Sequence, residues 1–336
     1  MTGGIRAALP VHFFLQPKAI TLQRALTLDP DRDWTDLRRA REVWIVQTWN
    51  RLCHAGYPLT MSDQAPRDGI IVYHKEDQRL LLERLPGGAT PVLVGVRADF
   101  RACTYADFEI LQNGCYADRR RSFFMPHWPQ PGLLARDPKR GDRMERIAYK
   151  GFVGNLIQEF RSARWQAFLS GQGMVFDDDA VLDDSFAQPI RSRFHDYREV
   201  DLVLAVRRGD TRSKPASKLV NAWRAGIPAL LSPDYAFEEL RESPLDYLAV
   251  RNLDDAEAAV LRLKREPGLY RSMIEHGRLR GAEFSVEKIT RLWASLLFET
   301  IPTLGRTHSG RYRKGARFLR HLWQKVVEAA AHRPRS

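Results

Sequence analysis

The chain has 336 residues, a length that suggests about two domains at ~100–200 residues each. With 44% hydrophobic and 28% charged residues it has the composition of a folded soluble protein, which excludes the disordered, collagenous and disulfide-scaffold classes. The net charge of +12 is concentrated at one end. Residues 306–336 hold nine bases and one acid, against 44 bases and 40 acids elsewhere, which disfavours wholesale nucleic-acid binding, since that needs a basic stripe across the folded body.

Short apolar runs alternate with helical patterns along the chain, which predicts an α/β protein with parallel sheets covered by helices. Val11–Leu15 reads as a buried strand. Asp33 is placed to cap a long helix from Thr35 to His54, ended by Ala55-Gly56-Tyr57-Pro58. Leu59–Met61, Gly69–Tyr73 and Pro91–Val96 read as further strands. Residues 126–141 (PHWPQPGLLARDPKRG) lack any helical period and read as an interdomain linker. A second alternation follows, with strands expected at Ile147–Val153, Met174–Phe176, Asp201–Val206, Ile227–Leu231 and Tyr247–Val250. Helices are expected at Glu159–Leu169, Ala216–Ala225 and Phe237–Glu242, and over 254–265, 267–281 and 285–299. The expected domains are 1–140 and 141–300, followed by a basic tail, 301–336. Ligands of such sheets bind beyond the carboxyl ends of the strands, and the cleft between two such domains is the natural place.

The densest chemistry lies in Asp201–Leu240. A buried strand there leads into a loop with Arg207, Arg208, Arg212, Lys214 and Lys218, and then into a helix. Bases at the junction of a strand's end and a helix N-terminus form an anion site, because free N–H groups and the helix dipole add to the side-chain charge. Pro215 suits the first turn of that helix, and Ser217 and Lys218 could each contact a phosphate. Past the next strand, Asp234 starts a turn leading to Glu238 and Glu239, where a carboxylate could accept hydrogen bonds from ribose hydroxyls.

Lys214-Pro215, Asn221-Ala222-Trp223-Arg224-Ala225-Gly226-Ile227-Pro228 and Glu239-Leu240 resemble the donor half of GT-B glycosyltransferases. The stretch Tyr149-Lys150-Gly151-Phe152-Val153-Gly154-Asn155 resembles their strand-then-glycine entry. The first domain is similar only to uncharacterised relatives, through Arg97-Ala98-Asp99, Gln112-Asn113 and the segment from His127 to Gly132. The resemblance implies two Rossmann-like domains facing across a cleft and a family 1/family 4-like enzyme. Such an enzyme moves a sugar from a nucleotide-diphosphate donor to a carbohydrate or lipid-linked acceptor. It further implies donor contacts from Gly151, Gly154, Asn155, Arg207, Lys214, Ser217, Lys218, Asn221 and Glu239. Arg207 (or Arg208) and Lys214 would stabilise the leaving phosphate with no metal or other cofactor. Asp99 and His127 are candidates for the base that deprotonates the acceptor. Retaining members carry two glutamates where this chain has Ser213 and Asn221, which favours the alternative of a binding protein that has lost turnover. A GT-B-fold sugar-nucleotide epimerase or hydrolase, needing further acid/base groups in the second domain, is the other alternative.

Asp177-Asp178-Asp179 offers a competing metal–nucleotide motif, but with Asp183-Asp184 continuing the run it reads as a solvated acidic turn. In 311–330 the residues Phe318, Leu319, Leu322, Trp323, Val326, Val327 and Ala330 form a helical apolar stripe. Arg317, Arg320, Lys325 and the cluster at 311–314 surround it. The stripe either packs on the body with its bases in water or lies on an anionic membrane surface. No apolar run reaches the ~20 residues of a bilayer span, the first residues lack a signal-peptide core, and Cys53, Cys103 and Cys115 show no metal spacing. These features predict a cytoplasmic protein, peripheral at the inner membrane surface if the tail binds there.

Overall fold

The computed structural model describes residues 9–18, 20–181, 194–209, 211–305 and 314–323. The chain divides into two compact units. The first comprises residues 1–30, 36–125 and 290–336, and the second residues 31–35 and 126–289.

The first unit is built on six strands: β1 (Val11–Phe14), β2 (Leu59–Ser62), β3 (Ile70–His74), β4 (Val92–Val96), β5 (Phe108–Leu111) and β6 (Ser122–Phe124). They run in the order β2-β1-β3-β4-β5-β6, and every pairing is parallel. Every residue of β1, β3 and β4 is buried, as expected of parallel strands covered on both faces. The sequence reading found these as apolar runs. It did not find β5, β6 or the Gln78–Arg84 helix.

The long helix expected from Thr35 is two pieces. Trp34–Asp36 is a single 3₁₀ turn, and the helix proper starts near Arg39 and passes through a π turn at Glu42–Val46 into Gln47–His54. The cap is not Asp33, whose carboxylate accepts from the Arg32 guanidinium at 3.2 Å. It is the buried Glu42, which reaches back to accept the Arg39 N–H at 2.7 Å.

The second unit has five strands, β7 (Arg146–Phe152), β8 (Val175–Val181), β9 (Leu202–Ala205), β10 (Ala229–Leu231) and β11 (Leu248–Ala249), in the all-parallel order β11-β10-β9-β7-β8. Both sheets therefore share one topology, in which the first strand lies between the second and the third. The reversal of strand order leaves a crevice beyond the carboxyl ends of the first and third strands, which in the second unit are β7 and β9.

At the other end of that sheet, the fully buried Asp201 accepts from both Arg136 and Arg140 and from the N–H groups of Glu145 and Arg146, at 2.7–3.0 Å. Burial alone would raise its pKa. The hydrogen bonds from Arg140, the two N–H groups and Arg136 outweigh burial and hold the carboxylate below its usual range. The same contacts fasten the 126–141 segment to the second unit.

The helix expected at Glu159–Leu169 splits at Ser162. Its hydroxyl accepts the Trp165 N–H at 3.3 Å and starts Ala163–Gly171 after a 3₁₀ turn at Gln158–Arg161. The Ser217–Ala225 helix ends at Gly226 in the left-handed conformation (φ 69°), with the Gly226 N–H returning to the Trp223 carbonyl at 3.1 Å. Gly226→Ala is expected to cost about 1–2 kcal/mol, since a Cβ there meets the following carbonyl. Chemical denaturation would read this as a lower midpoint with an unchanged slope.

Asp177-Asp178-Asp179 is not a turn. The three residues lie within β8, and each carboxylate has its own base. Arg146 binds Asp177 at 3.2 Å, Arg161 binds Asp178 at 2.6 Å, and Lys150, directly opposite in β7, binds Asp179 at 2.7 Å. Alternation along a strand sends Asp178 to the opposite face from the other two, so the three do not converge on one ion. Asp183 and Asp184 lie outside the described residues.

The tail does not follow the reading in which its apolar stripe packs on the body and its bases face water. Residues 314–323 form a helix whose arginines, Arg317 and Arg320, face inward while Lys314 is exposed. Arg317 is buried in a two-pronged ion pair with Asp107 and donates to the Pro91 carbonyl at 2.7 Å. Arg320 donates to the Ala106 carbonyl at 2.8 Å. The apolar stripe faces outward instead. Val326, Val327, Ala330, Lys325 and most of the 311–314 cluster lie outside the described residues.

Candidate functional site

The reversal crevice of the second unit is a concave site of about 320 Å³, formed by the segment after β7 and the loop after β9. Its lining includes Gly154, Asn155, Glu159, Arg207, Arg208 and Lys214. Four of these were expected as donor ligands from the sequence: Gly154, Asn155, Arg207 and Lys214.

Next to the crevice, Gly151 near the end of β7 makes a close packing contact possible. A Cβ on Gly151 would lie 2.6 Å from Lys218 Nζ and 2.7 Å from the Tyr149 hydroxyl. With only hydrogen there, Lys218 reaches across to donate to the Lys150 carbonyl at 2.8 Å, 5.2 Å from the Tyr149 ring centre. Tyr149 in turn donates to the Phe152 carbonyl at 2.6 Å, and Arg161 donates to the Val153 carbonyl at 3.2 Å, which fixes the loop. Around Gly154 the situation is opposite: a Cβ would meet nothing within 4 Å. Gly154 is therefore not demanded by packing, and its backbone borders open space.

Arg207 follows β9 and is more enclosed than a phosphate-seeking surface arginine. Its guanidinium meets Asp234 at 3.0 Å, with the two side chains only 8% and 4% exposed. Asp234 Oδ1 accepts from the Ser232 hydroxyl at 2.7 Å, and Ser232 Oγ accepts the Arg207 N–H at 3.2 Å. Asp234, expected only as the start of the turn to Glu238 and Glu239, holds Arg207. Burial raises the Asp234 pKa against the pull of Ser232 and Arg207.

Lys218 is half-buried beside these groups. Its pKa is lowered to about 7, first by burial and then by repulsion from Arg207 and Lys214, with Asp234 opposing. Arg208 is paired with Glu159 across the rim. Arg207 and Lys218 thus share the field of Asp234, and Lys214 adds its charge to that of Lys218.

Ser217 opens its helix. The preceding Ala216 supplies no capping side chain, so the first N–H groups of Ser217–Ala225 are without a side-chain partner at the cap. Asn221 lies a turn further along and is buried. Its Oδ1 accepts the Gln130 N–H at 2.9 Å, and its side chain also bonds Tyr197. It serves as a tie between the helix and the 126–132 segment. Glu239 is exposed on the Tyr235–Leu240 helix, while its neighbour Glu238 accepts the Tyr247 hydroxyl and pairs with Arg241.

The two base candidates belong to different units. Asp99, in the first, is exposed and accepts from the Gln112 amide. His127, in the second, has Nδ1 at 2.7 Å from the Trp128 carbonyl. Nδ1 must carry the proton to make that bond, which leaves the lone pair on Nε2.

Sequence reasoning missed Tyr149, Ser232 and Glu159. Each acts on a residue that the sequence did single out. For Ser232 and Asp234 a signal exists, since they sit two residues apart at the end of an apolar strand, where a buried basic residue finds its partner.

No family model matches the sequence, and no curated protein matches it. Among solved structures, the chain is similar to the Anabaena protein Alr3699/HepE in complex with UDP and glucose. The identity is 12%, over 86% of this chain and 99% of that one, with a TM-score of 0.52. The same protein with UDP-glucose gives 10% and 0.51. TarM aligns at 11% identity with a TM-score of 0.48, and this chain covers 54% of its length, about half. The fold is that of GT-B glycosyltransferases, with two Rossmann-like domains, each built on a parallel sheet.

Proposed function

We propose that this chain is a glycosyltransferase that takes a sugar from a nucleotide-diphosphate donor held by the second unit. The observation that carries the reading is the gathering of Arg207, Arg208 and Lys214 on the crevice at the β7–β9 reversal, where the backbone of Gly154 borders open space. In the reaction the bond from the sugar's anomeric carbon to the β-phosphate oxygen breaks, and its electron pair stays on the phosphate. A bond from the same carbon to the acceptor oxygen forms, and the acceptor proton passes to a base. Arg207 and Lys214 are assigned to the growing phosphate charge, supported by Lys218 and the N–H groups at Ser217, with no metal required. His127 and Asp99 are the two candidates for that base. The acceptor is a carbohydrate or lipid-linked hydroxyl, as in polysaccharide or glycolipid synthesis.

The direct test is release of nucleoside diphosphate from a panel of nucleotide sugars, with and without acceptors, led by UDP-glucose because HepE is seen with it. Donor-dependent thermal stabilisation with acceptor-dependent release supports transfer. Stabilisation without release across the panel would point to the binding protein, and conversion of the sugar without an acceptor to the epimerase.

The reading also fixes a pH dependence. A diphosphate diester has no proton to lose between pH 6 and 9, so a change in affinity there reports on the protein. Lys218 is largely neutral above its pKa of about 7 in the free protein. A bound diphosphate favours the charged form, so binding takes up a proton and the affinity falls as pH rises. About a tenfold weakening of Kd is expected between pH 6 and 8.5. Calorimetry in buffers of different ionisation enthalpy would show the uptake, and Lys218→Met should flatten the profile. A flat wild-type profile would remove Lys218 from the site.

A further inference from the structure

The helix at 314–323 is anchored by its charges and exposes its apolar side. Arg317 is locked onto Asp107, and Arg320 and Arg121 both donate to the Ala106 carbonyl, at 2.8 and 3.1 Å. On the outer side Phe318 is 55% exposed, Leu319 66%, Leu322 43% and Trp323 70%. Their spacing (i, i+1, i+4, i+5) puts them on one stripe. An amphipathic helix on a soluble protein normally turns that stripe inward. Here the buried ion pair with Asp107 fixes the opposite rotation.

Beneath the stripe lies a hollow of about 400 Å³, lined by Leu319 and Trp323 and by Arg320, Arg121, Cys103 and Glu109. Arg320 Nε is buried there and has no hydrogen-bond partner. Burial, followed by repulsion from Arg121, pulls the Arg320 pKa down to about 10, and an anion would relieve that strain. The sequence on either side, 306–314 and 324–336, carries seven bases and one acid.

We propose that this helix docks the first unit on an anionic lipid bilayer. Phe318, Leu319, Leu322 and Trp323 enter the boundary between headgroups and acyl chains, and an anionic headgroup seats against Arg320 and Arg121. The charge pattern selects lipid over a second copy of the chain. A two-fold dimer would bring the same basic flanks face to face, and a stripe of four side chains falls short of the ~800 Å² per partner of a stable interface. Aromatic and leucine side chains bracketed by bases are what an interfacial helix presents to an anionic surface.

The test is co-sedimentation of the full chain with vesicles of phosphatidylcholine, alone or with an equal share of phosphatidylglycerol. Binding to the anionic vesicles should exceed binding to the neutral ones by about tenfold or more. Leu319→Ser with Trp323→Ser should remove most of it, leaving the melting temperature and any nucleotide-sugar stabilisation unchanged. Tryptophan quenching by brominated lipid should appear in the wild type and fall in Trp323→Phe, which retains binding. No binding by the wild type would overturn the proposal, as would equal binding by the double variant. A wild-type dimer that the double variant dissociates, without vesicle binding, would assign the stripe to self-association and overturn it too. Donor binding is read separately, so failure here leaves the transferase reading standing.

Discussion

Arg207→Ala is expected to cost about 3–5 kcal/mol of the second unit's stability and to abolish transfer, and the two losses have different causes. The stability loss comes from Asp234. In the wild type its carboxylate is 4% exposed, held by Arg207 at 3.0 Å and by Ser232 at 2.7 Å. Removing the guanidinium leaves a buried anion with a single hydroxyl donor. For a unit of this size the loss corresponds to a melting temperature lower by roughly 10 °C. The catalytic loss comes from the missing charge at the leaving phosphate, for which one preorganised donor is typically worth ~10²–10³ in kcat. A second variant separates them. Arg207→Met with Asp234→Asn removes both charges, keeps the side-chain stems, and leaves an amide that can still bond Ser232. Replacing a buried ion pair as a pair is often near neutral, so stability should largely return while transfer stays low. If transfer returns along with stability, Arg207 is a structural residue and the charge argument rests on Lys214 and Lys218 alone.

That experiment turns on a pairing the sequence does not display. Arg207 and Asp234 stand 27 positions apart, and nothing local to either says that the arginine is met by a carboxylate. The stretch from Arg207 to Lys218 holds five bases against the single acid Asp210, so its cationic character is legible while the pairing of Arg207 with Asp234 is not. The same division runs through the fold. β1, β3, β4 and β9 are continuous apolar runs, because both faces of their sheets are covered, and that pattern survives in one dimension. β5 carries Glu109 in a four-residue strand, and β6 is three residues long, too little for any period to show. β8 reads as an acidic loop because its stabilising partners, Arg146, Lys150 and Arg161, arrive from 17 to 31 residues away. The tail is the extreme case. Its helical stripe is plain in the sequence, but Asp107, 210 residues upstream, decides which side faces in. Spacing thus exposes elements and clusters, while long-range charge pairing sets their orientation.

Lys214→Ala tests the site without disturbing the core. Lys214 is half-buried on the loop lining the crevice, and a change at such a position typically moves stability by no more than about 0.5 kcal/mol. Transfer is expected to fall ~10²–10³-fold, mostly in kcat, because the charge on the β-phosphate is larger in the transition state than in the bound donor. A drop confined to KM would mean that Lys214 grips ground and transition states alike, and would take it out of the chemical step. A second readout does not depend on turnover. Lys214 is one of the cations that depress Lys218, so its removal should raise the Lys218 pKa above about 7. The pH at which donor affinity begins to fall should then move upward in Lys214→Ala and stay in place in Lys214→Arg. Loss of transfer with no movement of that midpoint would show that the two ammonium groups do not share one field. The second unit would then hold its donor by Arg207 and the N–H groups at Ser217 rather than by a cluster of charge.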